Sequence, residues 1–425
     1  MKIAIAGAGI GGLTLALMLH QRGIECELFE SVRELKPLGV GINLLPHAVN
    51  EMAQLGLLDT LMQCGVQTSA LHYYNQFGQP VWQEPRGLAA GYPVPQLSIH
   101  RGELQLLLAQ AVRDRLGSHV LHTGQAFESF TQDKEGVTVR FKQRDTGETN
   151  EIRTDILIGA DGIHSAVRAL LHPHTNDLVF SGRMLWRAVT ESSPYLDGKT
   201  MFMAGHQDQK FVCYPISEPL RQQGRSLINW IAELRVPNGA LPSTDWNRVV
   251  DASVFSEPFK SWRWDWIDIP AIIEGATAVY EFPLVDKNPL PQWAFDRVAL
   301  LGDAAHPMYP IGSNGSAQAI LDARYLADNL AHLASHQHEH IVLGLKDYEA
   351  ERLPLTAGIV LRNRLNGPEQ VMQLAHERAP NGYNDIHDVI SADELNHISQ
   401  RYKRLAGFDP SKFGVYHNIP RPNAT

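Results

Sequence analysis

The sequence predicts an α/β fold in which a doubly wound layer is interleaved with a smaller mixed β-sheet domain and closed by a helical C-terminus. Three observations predict it. The chain opens on a strand–helix–strand unit hinged on Gly7–Gly12. Two later apolar strands, near 156–160 and 298–301, each end in an acid beside glycine. Over about 178–289 the texture changes to alternating strands. The composition of these 425 residues, 44% hydrophobic and 20% charged, is ordinary for a globular chain and excludes a mostly disordered one.

Residues 2–6 form an apolar run of β character, and a helical pattern through Leu13, Leu15, Ala16, Leu17 and Leu19 follows until Gly23. Ile24–Phe29 is a second strand, ending at Glu30. Pro37–Asn43, punctuated by Gly39 and Gly41, reads as a loop. Helical segments are expected over about 46–64, short strands over about 71–99 and a helix after Arg101. Phe127–Thr131 and Val137–Phe141 read as a hairpin, and Ile156–Ala160 as a buried strand ending at Asp161-Gly162. Met184–Thr190, Phe211–Pro215 and Leu227–Leu234 alternate as strands. Val298–Leu301 is another buried strand, ending at Gly302-Asp303, and a long helix follows Gly315. The expected bounds are 1–70, 97–177 and 290–365 for the doubly wound domain, 71–96 and 178–289 for the second domain, and 366–425 for a polar helical segment.

Charge and cysteine usage narrow the partners. With 37 Lys and Arg against 46 Asp and Glu, the net charge of −9 argues against a dedicated nucleic-acid binder, so no nucleic-acid partner is expected, while local backbone donors can still hold an anionic cofactor. Cys26, Cys64 and Cys213 are too few and too scattered for a disulfide framework or a cysteine-rich zinc site. The start at Met1 carries no leader, and no apolar stretch approaches the roughly 20 residues that span a bilayer. A cytoplasmic protein with no membrane partner is the expectation.

Gly7-x-Gly9-x-x-Gly12, after a strand and opening a helix, is the pattern that holds a dinucleotide. Gly7 permits the tight turn, Gly9 lets a pyrophosphate approach the backbone, and Gly12 allows close helix–strand packing. Glu30 is placed to accept hydrogen bonds from a ribose diol. This unit alone does not separate NAD from FAD. Two strand-end motifs do: Leu-Ile-Gly-Ala-Asp-Gly-Ile-His-Ser-Ala-Val-Arg at 157–168 and Leu-Leu-Gly-Asp-Ala-Ala-His at 300–306. Asp303 suits a polyol hydroxyl, and the Gly312–Gly315 turn could aim helix N–H groups at an anionic ring.

Taken in this order, the three motifs resemble those of the single-component FAD-dependent aromatic hydroxylases, over about residues 1–365. Pro37–Asn43, Ser98–Gln105, Tyr214–Ser217 and Met308–Pro310 are most similar to phenazine hydroxylases acting on 5-methylphenazine-1-carboxylate. Salicylate- and hydroxynicotinate-type hydroxylases are similar but more distant. The resemblance implies a Rossmann-like FAD domain in which Gly7, Ala8, Gly9, Ile10, Gly11, Gly12 and Glu30 hold the ADP half. Arg101 and Gln105 would reach the pyrophosphate or ribityl chain, and Val40 and Gly41 would face the flavin. Asp161 would serve both FAD and the nicotinamide nucleotide, and Gly302 and Asp303 the ribityl chain. Gly312, Ser313, Asn314 and Gly315 would contact the isoalloxazine, and Pro310 would line the reaction site. Many relatives carry Gly-Gln-Gly where this chain has Gly312-Ser313-Asn314-Gly315, so Asn314 alters the side chains beside the flavin. No second glycine fingerprint is evident, which fits a nicotinamide that docks transiently on the FAD domain.

The implied reaction consumes NADH or NADPH and O2. Through a flavin C4a-hydroperoxide it would hydroxylate an electron-rich aromatic or N-heteroaromatic substrate, carboxylated and phenazine- or salicylate-like, with CO2 lost if OH enters at the carboxyl-bearing carbon. A monomer or homodimer is expected. Rival readings are an epoxidase or oxidase on the same scaffold, a flavin-binding protein without catalysis, and a plain NAD dehydrogenase, which the motifs at 161 and 302 disfavour.

Candidate catalytic side chains are Asn43 and Tyr214, with Pro310. Tyr214 either bonds a substrate or packs, and Trp186-Arg187 either offers a cation to a carboxylate or packs between domains. His47 starts a helix after Pro46, and His306 reads as fixing its turn rather than as a base. His336–His340 reads as a solvated helix end with no metal. Trp262–Trp266 reads as a surface packing cluster, and Glu349-x-Glu351-Arg352 as an exposed helix face.

Overall fold

Apolar runs that present no polar face can only be buried on both sides, and here they form the interior of a parallel sheet. The computed structural model describes residues 1–175, 177–236, 248–333, 335–365 and 367–405, so the end of the C-terminal segment, 406–425, lies outside the described residues. The sheet runs Ala294–Phe295, Val298–Leu300, Ile156–Gly159, Lys2–Ala6, Glu25–Glu30, Leu121–Thr123, with Lys2–Ala6 between its two halves. All pairs are parallel except the edge hairpin formed by the first two strands. Ile3, Ile5, Ile156, Leu157 and Ile158 are completely buried in it. The helices Ile10–Gln21, Arg101–Leu116 and Gly315–Ala331 pack together, and all three enter one hydrophobic core with the sheet. Three stretches of chain, distant in sequence, therefore build one layer.

A second sheet has eight strands, in the order Val249–Val250, Val279–Lys287, Leu178–Ser192, Ser226–Arg235, Gln209–Pro215, Met201–His206, Ala70–Tyr74, Pro80–Pro85. It is mixed, because Met201–His206 pairs in parallel with Ala70–Tyr74 while its other pairs are antiparallel. The fold is thus α/β with a mixed second sheet and a helical C-terminus.

Local departures from the sequence reading have physical causes. The end of the expected loop at 37–43 is a strand, Gly41–Leu44, paired antiparallel with Gln96–His100. The alternating glycines Gly39 and Gly41 hide the pattern, and long-range pairing supplies the order. The 125–143 hairpin gains a third strand, Thr149–Thr154. The tryptophan cluster is interior rather than superficial: Trp262 is buried, and Trp264 and Trp266 pack against Tyr74 under the eight-stranded sheet.

The C-terminal segment is joined to the second sheet by charge. Lys210 lies 2.9 Å from Glu233 and bonds Glu369, which belongs to the short turn Gly367–Glu369 preceding the helix Gln370–Arg378; all three side chains are buried. Nearby, the His206 and His376 rings stack with centroids 3.9 Å apart. Cys26 and Cys213 are buried and Cys64 is half-buried. Among the described residues no helix is long and apolar enough to cross a membrane. Because removing one member of a buried ion cluster leaves charge uncovered, Lys210→Met is expected to destabilise the fold by about 3–5 kcal/mol near neutral pH. Denaturant unfolding checks this; a cost near zero would show that the cluster is not holding the segment.

Candidate active site

The carboxyl ends of the central strands open on a crevice whose walls are set by close backbone contacts. Gly7 has φ +107, and a Cβ there would lie 2.4 Å from the Ala160 carbonyl oxygen; one on Gly12 would lie 2.1 Å from that of Gly7. At Gly9 a Cβ would meet nothing within 4 Å, so the backbone there faces open space. The helix Ile10–Gln21 has no side-chain N-cap, leaving its dipole available to an anion. Glu30 shapes this loop directly: its carboxylate accepts from Ala8 N at 2.8 Å, Val32 N at 2.9 Å and Ser31 Oγ at 3.1 Å. Gln105 donates to the Ala8 carbonyl at 2.8 Å. Both residues thus hold the glycine loop.

Asp161 lies at the end of the adjacent strand, and its oxygens are largely spent on the helix Ala166–Leu171. It accepts from Ser165 Oγ at 2.5 Å, Ala166 N at 2.8 Å and Val167 N at 3.2 Å. Burial raises its carboxyl, and these donors oppose the rise. Asp303 differs. Its residue is exposed, yet desolvation by the surrounding protein raises its carboxyl, with His306 and Arg101 pulling the other way. Exposure and desolvation together place this side chain in a concavity, where the nearest atom to a Cβ on Gly315 would be Asp303 Oδ1 at 3.9 Å.

The Asp303 turn is anchored from beneath. The buried Asp322 carboxylate accepts from Gly302 N at 3.1 Å, His306 Nε2 at 2.5 Å and Arg352 Nε at 2.8 Å. Burial would raise this acid, but the charges and hydrogen bonds of His306 and Arg352 win and bring it down to about 2. From the other side, Arg168 Nη1 donates to the carbonyls of Ala304 at 3.2 Å and Ala305 at 2.9 Å, and burial lowers its guanidinium to about 10. His306 is therefore a turn-fixing group. The Glu349–Arg352 face is corrected: Glu351 is exposed, but Arg352 is buried on Asp322, and Glu349 accepts from Trp293 N and from Ala294 N at 2.7 Å. Asp322 and Arg168 were not singled out from the sequence; the signal was a charged residue inside an apolar helical face.

The second sheet meets this crevice through Gly41. Its N–H donates to Asn229 Oδ1 at 2.7 Å, and its carbonyl accepts from Tyr214 Oη at 2.9 Å and Arg187 Nη2 at 3.2 Å. Tyr214 and Asn229 are direct cross-strand partners, so one sheet face supplies the clamp. A Cβ on Gly41 would sit 2.7 Å from both Asn229 Cβ and Ile216 Cγ2. Burial pushes the Tyr214 hydroxyl up to about 12, keeping it a neutral donor, and burial lowers the Arg187 guanidinium. Sequence reasoning missed Asn229, though an amide between Ile228 and Trp230 in an apolar strand was its signal. Val40 is buried and accepts from Arg101 N at 2.9 Å, while the Arg101 residue is exposed.

Asn43 bridges the two walls. It is buried, accepts from Ser98 Oγ at 2.5 Å, and its Nδ2 lies 3.4 Å from Ser313 Oγ and 3.5 Å from Met201 Sδ. Pro310 is exposed at the start of the turn Ile311–Ser313, and the buried Asn314 precedes the helix Gly315–Ala331, which has no side-chain N-cap. An anion near that end gains about 0.3–1 kcal/mol. Gly312 has φ +69 and Ser313 φ +57, the latter costing about 1 kcal/mol for a residue with a Cβ. His47 is the second residue of the helix Pro46–Gln54; desolvation by the surrounding protein, then the Arg352 charge, lowers its imidazole to about 3. His338 opens the helix His338–Asn363, and among the described residues no group of three His, Cys, Asp or Glu could hold a metal.

An open glycine-lined backbone, uncapped helix ends and an acid in a concavity suit a dinucleotide whose phosphates and polyol need such partners. The chain belongs to the FAD binding domain family, whose model matches residues 1–363. Within it, the chain is 44% identical over 368 residues to phenazine 1,6-dicarboxylic acid hydroxylase of Lysobacter antibioticus, covering 85% of this chain and 89% of that one. It is 30% identical over 366 residues to 6-hydroxynicotinate 3-monooxygenase of Pseudomonas fluorescens, covering 83% and 87%. The fold is shared with Klebsiella pneumoniae HpxO, solved in complex with FAD and uric acid, at TM-score 0.70 and 24% identity over 96% and 93% of the two chains. The protein is an FAD-dependent aromatic-ring monooxygenase.

Asp303→Ala is expected to weaken FAD binding by about tenfold or more, and Glu30→Ala by less, because Glu30 also serves its own loop. Equilibrium titration of the apoproteins checks this, and unchanged affinity in both would remove them from the cofactor site. Asp322 binds its proton less readily in the folded than in the unfolded chain, so its stabilisation is present above its ordinary 3.8 and is lost as pH falls toward about 2. Asp322→Asn should therefore flatten the acid limb of stability against pH, measured by denaturant unfolding between those values.

Proposed function

We propose that this enzyme uses NADH or NADPH and O2 to hydroxylate a carboxylated N-heteroaromatic ring, phenazine-like before salicylate-like. The observation that carries the reading is the similarity to the phenazine dicarboxylate hydroxylase over most of both chains. The site's chemistry supports it. Leu185, Met201, Met203, Tyr214, Tyr309 and Ile311 belong to one buried apolar cluster joining the sheet to the turn before Gly312, which would give a flat ring an apolar backing.

In this reading Gly7, Ala8, Gly9, Ile10, Gly11, Gly12 and Glu30 would hold the ADP half of FAD. Arg101, Gln105, Gly302 and Asp303 would hold its middle, and Val40, Gly41 and the 312–315 turn its ring; Asp161 would position the segment that meets the nicotinamide nucleotide. The bound flavin supplies electron uptake from the nicotinamide and the activation of O2 for insertion of one oxygen atom. Asn43 orients the ring substrate from the strand edge. Tyr214, Arg187 and Asn229 act one step back, fixing the Gly41 backbone against which the rings lie. The apolar cluster excludes water. If OH enters at a carbon bearing a carboxylate, that group leaves as CO2.

The test is NADH and NADPH oxidation by the FAD-loaded protein against phenazine carboxylates, hydroxybenzoates, hydroxynicotinates and hydroxyquinolines. H2O2 is quantified, and product is analysed after turnover under 18O2. A phenazine carboxylate is expected to stimulate oxidation most, with little peroxide and one labelled oxygen in the product. Stimulation by a compound with stoichiometric peroxide and no label would mark it as a mimic that triggers reduction without oxygen transfer, and no productive response to any phenazine carboxylate would overturn the substrate reading.

A further inference from the structure

We propose that Ser313 is a specificity-determining residue whose hydroxyl donates a hydrogen bond to an acceptor on the ring substrate, a carboxylate oxygen or ring nitrogen. The proposal rests on the hydroxylase reading above and deepens it.

The first argument is the direction of a buried hydrogen-bond row. Ser98 Oγ stands 2.5 Å from Asn43 Oδ1, a normal separation for O–H···O and too short for N–H···O. That fixes the Asn43 amide, so its Nδ2 faces Met201 Sδ and Ser313 Oγ. An amide nitrogen can only donate, so Ser313 Oγ must accept. With the Ser98 hydrogen committed to Asn43, Thr68 Oγ1 donates to Ser98 Oγ at 2.7 Å. Thr68, Ser98 and Asn43 are all buried, so no water reverses the order. The row ends on a serine whose own hydrogen has no acceptor among the described residues.

The second argument is backbone conformation. Among the described residues, three non-glycine residues have positive φ: Leu196, Asp296 and Ser313. Leu196 is exposed, and Asp296 joins the strands of the edge hairpin. Ser313 alone of the three stands in the turn leading to the crevice helix, where glycine would adopt the same φ without strain. A side chain kept at such a position points to a use for it.

The third is direction. The Ser313 side chain meets Asn43, whose amide also touches Met201 of the eight-stranded sheet, while the backbone after it leads to Gly315 beside Asp303. The turn's backbone is thereby given to the polyol side and its hydroxyl to the side where a ring substrate lies.

Ser313→Gly and Ser313→Ala separate this role from a structural one. The oxidised, FAD-loaded proteins are titrated with phenazine-1,6-dicarboxylate, following the flavin absorbance without reductant. Both variants are expected to raise the Kd by about tenfold, the value of one hydrogen bond to a charged or strongly polar acceptor. Ser313→Gly should unfold at a higher temperature than Ser313→Ala, since only glycine relieves the turn. Kd values within twofold of wild type in both variants would overturn the proposal. A wild-type protein that holds FAD but responds to no ring carboxylate would overturn the substrate reading, and the proposal with it.

Discussion

Asp322 accepts the Gly302 N–H, the His306 imidazole and the Arg352 guanidinium within one completely buried carboxylate, and through it the parallel sheet, the Asp303 turn and two helices share an anchor. A carboxylate in that place would cost several kcal/mol if left alone. Charge-assisted donors to both oxygens offset the cost, and the same geometry leaves the turn little freedom. Arg168 closes it from the opposite side through the Ala304 and Ala305 carbonyls. The exposed Asp303 is thus carried on a turn held from both sides, which would suit the polyol-binding role proposed for it.

Gly41 plays the corresponding part for the second sheet. Three side chains from three adjacent strands close on the backbone N–H and C=O of one residue, and the missing side chain of Gly41 is what lets Asn229 and Ile216 approach. Two residues later Asn43 reaches across to Ser313. The sheet and the turn are therefore in register through a short piece of strand, and a shift of either wall must be felt by the other.

Much of this was legible in the sequence because it rests on local patterns. The Gly7–Gly12 turn, the buried strands and the acids at their ends follow from chain periodicity and glycine placement. The Gly41–Leu44 strand was not legible, since its order comes from pairing with Gln96–His100, more than fifty residues away. Arg352 was misread for a related reason: a charged residue on a polar helix looks solvated until its partner, Asp322, is brought in by the packing of two helices. Tyr214 was legible as important but not in its role, because nothing in its own strand says that its hydroxyl is spent on a backbone carbonyl.

The placement of the cysteines bears on how such an enzyme survives its own chemistry. Burial pushes the Cys26 thiol up to about 12 and raises those of Cys213 and Cys64. Oxidants attack the thiolate, and a thiol held protonated offers them little. Peroxide released by an unproductive cycle of the proposed reaction would meet Cys26 and Cys213 as buried, protonated thiols, which are poor targets.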